Sequence, residues 1–168
     1  MKKISTLFKK DPNNLGVVIN EINPDNQWVF DGFGIATRKF DGTAPEISIP
    51  CQDPDPISGH WPHWVKCDRN NPSDRYFFEA LDNSENLRDW TYELIGEKIN
   101  GNPEGIIGHK FVEHGATKLI GLVYPITFEN LKQYLETVDI EGIVFHHKER
   151  LDGRMCKIRK KDFGIKRN

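Results

Sequence analysis

Three short runs carry side chains able to do chemistry, and each also has an ordinary structural use. Lys39-Phe40-Asp41-Gly42 sets an amine beside a glycine turn. A lysine is a nucleophile only as the free amine, a form that burial or nearby positive charge favours. A strand end would present that side chain rigidly, and the glycine would let a ligand approach the backbone closely. The same residues also suit a surface lysine before an Asp-Gly turn. Glu141-Gly142-Ile143-Val144 opens an apolar strand with a carboxylate that can reach a divalent metal or a ribose hydroxyl, or simply end a turn. In Lys157-Ile158-Arg159, strand alternation puts both cations on one face. There they can balance charge developing on a phosphorus, or be solvated.

These groups need elements to hold them. Gly142 to His147, a turn around Asp152-Gly153, and Arg154 to Arg159 read as a hairpin, which would make Glu141 and the Lys157/Arg159 pair neighbours. Strands are expected at Gln27 to Phe30 and at Phe33 to Phe40, the second carrying Lys39 near its end. Trp90 to Ile95 and a buried Lys118 to Tyr124 read as further strands. Ser73 is placed to cap a helix over Asp74 to Asp82, and Thr127 one with Phe128, Leu131, Leu135 and Val138 at helical spacing. Pro45 to Pro62, with five prolines, and Asn100-Gly101-Asn102-Pro103 read as loops. The sum is an α+β domain with antiparallel sheets and a few flanking helices, and 168 residues suit a single domain, 1–168.

The net charge of −2 conceals a basic end: Lys148, Arg150, Arg154, Lys157, Arg159, Lys160, Lys161, Lys166 and Arg167 face only Glu149, Asp152 and Asp162. Four lysines lie within the first ten residues. Such ends can meet phosphates or be solvated. No run is long and apolar enough for a membrane span or a secretory signal, so a cytoplasmic location and no membrane partner are expected. Cys51, Cys67 and Cys156 are an odd number without a Cys-x-x-Cys pair, which reads as free thiols rather than disulfides or zinc ligands. His60, His63, His146 and His147 lack metal-ligand spacing, and Trp61 and Trp64 suit packing more readily than base stacking.

The order of a lysine, a carboxylate, Glu-Gly-Ile-Val and Lys-x-Arg is similar to the motif series of covalent nucleotidyltransferases, the DNA ligases, RNA ligases and mRNA capping enzymes. Tyr92-Glu93-Leu94-Ile95-Gly96-Glu97-Lys98-Ile99-Asn100-Gly101-Asn102-Pro103-Glu104-Gly105 resembles the long signature of the stand-alone 5′-to-3′ RNA ligase family known from vertebrates. Ala36 to Thr43, the Gly59-His60-Trp61-Pro62-His63-Trp64 run, His114-Gly115-Ala116 and Ile140 to His146 are also similar to that family. Generic folding has no need of Ile-Asn-Gly-Asn-Pro.

The resemblance implies an ATP-grasp-like ligase adenylation domain, a single minimal nucleotidyltransferase core. It implies ATP, with Mg²⁺ or Mn²⁺, and RNA carrying 5′-phosphate and 3′-hydroxyl ends; no stable protein partner is inferred. Lys39 would be the adenylylated lysine. Glu93, with Glu97 as competitor, would be the first acidic residue and Glu141 the second, and Glu93 and Glu141 would engage metal. Lys157 would contact the α-phosphate with Arg159 in support, and Thr37, Asp41 and Gly42 would line the nucleotide site. After Thr43 the chain enters the proline-rich loop where longer relatives carry arginines, and no separate C-terminal nucleic-acid-binding domain is expected. A capping-type guanylyltransferase, a DNA ligase and a degenerate nucleotide- or RNA-binding module stay as alternatives.

Overall fold

The computed structural model describes residues 4–44, 66–122, 124–149 and 153–167. Pro45 to Pro62 with Cys51, the Gly59-to-Trp64 run with its histidines and tryptophans, and Asp152 lie outside the described residues. In chain order the elements are β1 (Ser5–Thr6), β2 (Phe8–Asp11), β3 (Asn14–Ile22), β4 (Gly34–Lys39), α1 (Arg75–Asp82), β5 (Tyr92–Gly96), β6 (His109–Glu113), α2 (Phe128–Thr137), β7 (Gly142–His147) and β8 (Met155–Arg159). The architecture is mixed α+β, in two compact units: Asp41–His114 forms the inserted unit, and Ile4–Phe40 with Gly115–Asn168 the sheet unit. Among the described residues no helix is long and apolar enough to cross a membrane.

The sheet unit is built on a four-stranded sheet in the order β1-β8-β7-β4. Its β4–β7 and β7–β8 pairs are antiparallel as expected, while β1 joins β8 in parallel. Alternation sorts the hairpin's faces: Ile143, Phe145, Cys156 and Ile158 are fully buried, and Val144, His146, Lys157 and Arg159 stand on the other side. Each buried isoleucine contributes about 1.5–3 kcal/mol. Helix α2 begins where Thr127 accepts a hydrogen bond from the Asn130 amide, and Leu131 and Leu135 bury its apolar stripe. The ring of Phe8 from β2 meets Phe30, Phe128 and Phe163 edge-on. That cluster packs the 3₁₀ helix Lys160–Phe163 against the sheet's companions.

Among the described residues two expected strands are absent. Pro24–Asn26 is a 3₁₀ turn capped by the Asn23 side chain, and the chain continues helically through Val29–Phe33 before Gly32, at φ 82°, releases it into β4. The Asn-Pro start overrides the strand propensity of Trp28, Val29 and Phe30, and Trp28 and Val29 are buried in the helical form instead. From Lys118 to Leu122 the chain only grazes β4, by hydrogen bonds from Arg38 N to Thr117 O and Leu119 N to Ala36 O. Gly121 at φ 82° breaks the extended run, and Ile120 and Tyr124 are exposed rather than buried.

In the inserted unit β5 and β6 pair antiparallel, and α1 lies on them through Phe77 against Phe111 and Tyr76 stacked on His109. Ser73 does not cap the helix: α1 starts after Asp74, which makes no side-chain cap bond, and Asn71 caps the preceding 3₁₀ turn, Pro72–Asp74, by accepting from the Ser73 amide. Cys67 and Cys156 are free, and burial pushes the Cys156 thiol up to about 12, which leaves it unreactive.

Candidate active site

Sheet register gathers the first set of residues. Lys39 pairs with Gly142, which pairs with Arg159, and one pleat along Thr37 pairs with Val144, which pairs with Lys157. Directly opposed residues share a face, so Lys39, Thr37, Lys157 and Arg159 lie on the same side of the sheet. The end of β4 therefore meets the start of β7, where Glu141 precedes Gly142. The Lys39 ammonium nitrogen contacts Glu141 Oε2 and donates to Phe40 O at 3.1 Å. The side chains of this pair are 20% and 17% exposed, largely enclosed but open to a reagent. Thr37 is buried and its hydroxyl donates to Val144 O at 3.0 Å, a structural use.

Gly142 has a steric reason. A Cβ there would lie 2.4 Å from Ile158 O and 3.0 Å from Arg159 Cγ, so only glycine lets Arg159 lie across the row that leads to Lys39. Glu141 is held from its backbone too, its carbonyl accepting from Lys160 N at 3.0 Å. Lys157 is half-buried. Burial first, then the charges of Arg159 and Lys39, lower its pKa against the opposing pull of Asp162 and Glu141. A cation disfavoured in this way gains from an arriving anion.

The inserted unit holds the remaining residues differently. Glu93 is 8% exposed; its Oε1 accepts from the Gly42 amide at 3.1 Å, and its Oε2 lies 2.8 Å from His114 Nε2. The other ring nitrogen of His114 lies 3.0 Å from Thr91 Oγ1. Gly42 packs flat on β5, where a Cβ would sit 2.3 Å from Leu94 O. Asn100 donates to Asp41 Oδ1 at 3.0 Å and to Gly42 O at 3.1 Å, and Glu104 Oε1 accepts from the Asp41 amide at 3.0 Å. Asn102 closes the loop on itself through both directions of its amide with Ile106. The Asn-Gly-Asn-Pro signature thus grips the turn two residues past Lys39, with Asn100, Gly101 and Asn102 all at positive φ. Glu97 stands apart, exposed in a turn whose amide donates to Gly108 O.

The structure thus joins Lys39, Glu141, Lys157 and Arg159 in one unit and Asp41, Gly42 and Glu93 in the other. Among the described residues no three or more His, Cys, Asp and Glu side chains gather as a metal site. Sequence reasoning missed Asp162, which holds Arg159, and its second partner Lys10, and gave no role to His114, Asn100 or Glu104. A spacing of three from Arg159 was the available signal for Asp162.

Comparison with known proteins agrees with the signature. The sequence profile described as RNA ligase 1 matches residues 79–168, just over half of the chain; Glu93, Glu97, Glu141, Lys157 and Arg159 fall inside it and Lys39 ahead of it. RNA ligase 1 of Pongo abelii is 28% identical over an alignment 162 positions long, which covers 73% of this chain and 49% of that protein. The chain thus spans about half the length of that relative. By the profile match, the chain belongs to the RNA ligase 1 family.

Proposed function

We propose that this chain is an ATP-dependent RNA ligase that joins a 5′-phosphate to a 3′-hydroxyl through AMP carried on Lys39. The observation that carries the proposal is the Lys39 amine against Glu141 at a strand end, with Lys157 and Arg159 on the same face. In the first step the neutral amine attacks the α-phosphorus of ATP in line. An N–P bond forms, the bond to pyrophosphate breaks, and a lysine–AMP phosphoramidate remains. Glu141, in contact with the amine, is the group placed to take its proton. Lys157 and Arg159 balance charge on the phosphate oxygens, and the arriving anion offsets what burial and neighbouring cations cost the Lys157 charge.

In the second step an RNA 5′-phosphate oxygen displaces lysine, leaving AMP joined to the RNA through a diphosphate. In the third a 3′-hydroxyl attacks that 5′-phosphorus, the RNA phosphodiester forms and AMP departs. The chain would act in this as one adenylation domain with the nucleotidyltransferase core of ligases. Mg²⁺ or Mn²⁺ takes hard oxygen donors and keeps part of its water, which suits carboxylates. Glu141 fits such an ion, since its Oε1 makes no hydrogen bond to a described residue. Glu93 is the second candidate, though both its oxygens are engaged. The ion would neutralise phosphate charge. Glu93 is preferred to Glu97 because it is tied to the turn that follows Lys39.

The test is incubation with α-labelled ATP and Mg²⁺ without RNA, followed by a denaturing gel. Wild type is expected to take the label, and Lys39→Ala to lose it by about a thousandfold or more. Equal labelling of the two proteins overturns the proposal. Preference for labelled GTP would move it to a capping-type enzyme, and joining of nicked DNA but not RNA would move it to a DNA ligase.

A further inference from the structure

Asp162 has no part in the steps above, yet it is the most completely enclosed carboxylate beside them, with its side chain at 0% exposure. Its Oδ2 accepts from Arg159's backbone amide at 2.9 Å and from Arg159 Nε at 3.1 Å. Its Oδ1 accepts from Arg159 Nη2 at 2.9 Å and from Lys10 Nζ at 2.6 Å. Burial works against ionisation of this carboxyl. The hydrogen bonds from Arg159 and Lys10, reinforced by their charges, outweigh it and hold the group below the ordinary aspartate range. A buried carboxylate is expensive unless its oxygens are satisfied in this way.

The geometry does more than neutralise charge. A guanidinium is a rigid planar fork, so a carboxylate that takes Nε and one Nη2 hydrogen fixes the plane of the whole group. Nη1 and the second hydrogen of Nη2 then form an edge directed away from Asp162. Arg159 shares a cross-strand row with Lys39, and its side chain crosses the space that Gly142 leaves open. The bond from the Arg159 amide caps the 3₁₀ helix and the Lys10 pair ties β2 to it, and neither needs the two hydrogen bonds from the guanidinium.

We propose that Asp162 is a positioning residue: it fixes the Arg159 guanidinium so that its outer edge binds a phosphate of the nucleoside triphosphate on the Lys39 face. This rests on the nucleotidyl-transfer reading. The experiment is a double-mutant cycle of wild type, Arg159→Ala, Asp162→Asn and the double variant. It is read as calorimetric Kd for α,β-methylene ATP, with melts and self-labelling on the same preparations. Asp162→Asn is expected to weaken binding about tenfold or more in the wild-type background, the scale of a charged hydrogen bond, and less than about twofold once Arg159 is gone. Lys10→Ala, which leaves Arg159 paired, is expected to keep most of the affinity. Equal losses in both backgrounds, no effect of Asp162→Asn, or no binding by wild type overturns the inference. Should the cycle hold while Lys39 takes no label, the transfer reading fails alone. If Asp162→Asn melts below the assay temperature, the wild-type Arg159 Nε–H resonance in ¹⁵N-arginine protein decides. A protected signal that shifts with the analogue supports the inference, and a rapidly exchanging or unmoved one overturns it.

Discussion

In the sheet unit, Glu141 faces a lysine amine that is partly open to solvent; in the inserted unit, Glu93 faces a backbone amide and an imidazole. Both are carboxylates in enclosed positions, but they are satisfied in different ways. Around Glu141 the neighbouring groups are cations on a strand face, and one of them, Lys157, is held at a disadvantage by burial and by its neighbours. Around Glu93 one oxygen holds the turn that starts two residues after Lys39, and the other meets His114. On the proposed function, one region receives an anion, while the other keeps a loop in one conformation. Enclosure alone does not separate the two uses; the identity of the partner does.

The comparison can be pressed first through Lys157. Since its pKa in the fold is lowered, the fold disfavours its charge at neutral pH, and Lys157→Met is expected to leave the melting temperature unchanged or slightly higher. The same change should lower self-labelling about a hundredfold or more, because charge on the phosphate oxygens loses its partner. A variant that unfolds, or that labels normally, would remove Lys157 from the anion-receiving region.

A smaller effect separates the carboxylates themselves. Glu93→Gln is expected to cost about 1–3 kcal/mol, since it removes charge from hydrogen bonds in a buried setting. That is several degrees in Tm for a chain of this size. Glu141→Gln is expected to lose more labelling and less stability than Glu93→Gln. Thermal melts and initial labelling rates on the two variants check this, and the opposite ranking would merge the two regions into one kind of site.

The smallest effect is in acid. Asp162 has a folded pKa below its unfolded value, so its contribution to stability is complete above the unfolded value, about 3.9, and is lost as pH falls through the folded one. Wild type should therefore lose Tm below about pH 4 more steeply than Asp162→Asn. Parallel acid limbs would show that Asp162 is no better held than an ordinary surface aspartate.

Several features were legible before any coordinates. Thr127 and the spacing of Leu131 and Leu135 gave α2 with its cap. Alternation gave the β7–β8 hairpin and put Lys157 and Arg159 opposite Ile158. Lys39 was placed at the end of its strand. The failures share a cause. Trp28 to Phe30 has strand composition, but an Asn-Pro start and a burial demand from the core made it helical. Lys118 to Leu122 is apolar enough for a strand, but a glycine at positive φ and the lack of a full partner left it grazing an edge.

By itself the sequence determined which residues could react and which short elements carry them, because capping, alternation and helical spacing act over a turn or a pleat. It also carried the family signature, although not what that signature holds: Asn100 and Glu104 on the turn at Asp41 and Gly42. Only the tertiary structure decided that Lys39 meets Glu141 from 102 residues away and that Asp162 draws Lys10 from 152 residues away. Those partners are chosen by sheet register and by packing around Phe8, and neither is written in the residues on either side of a charge.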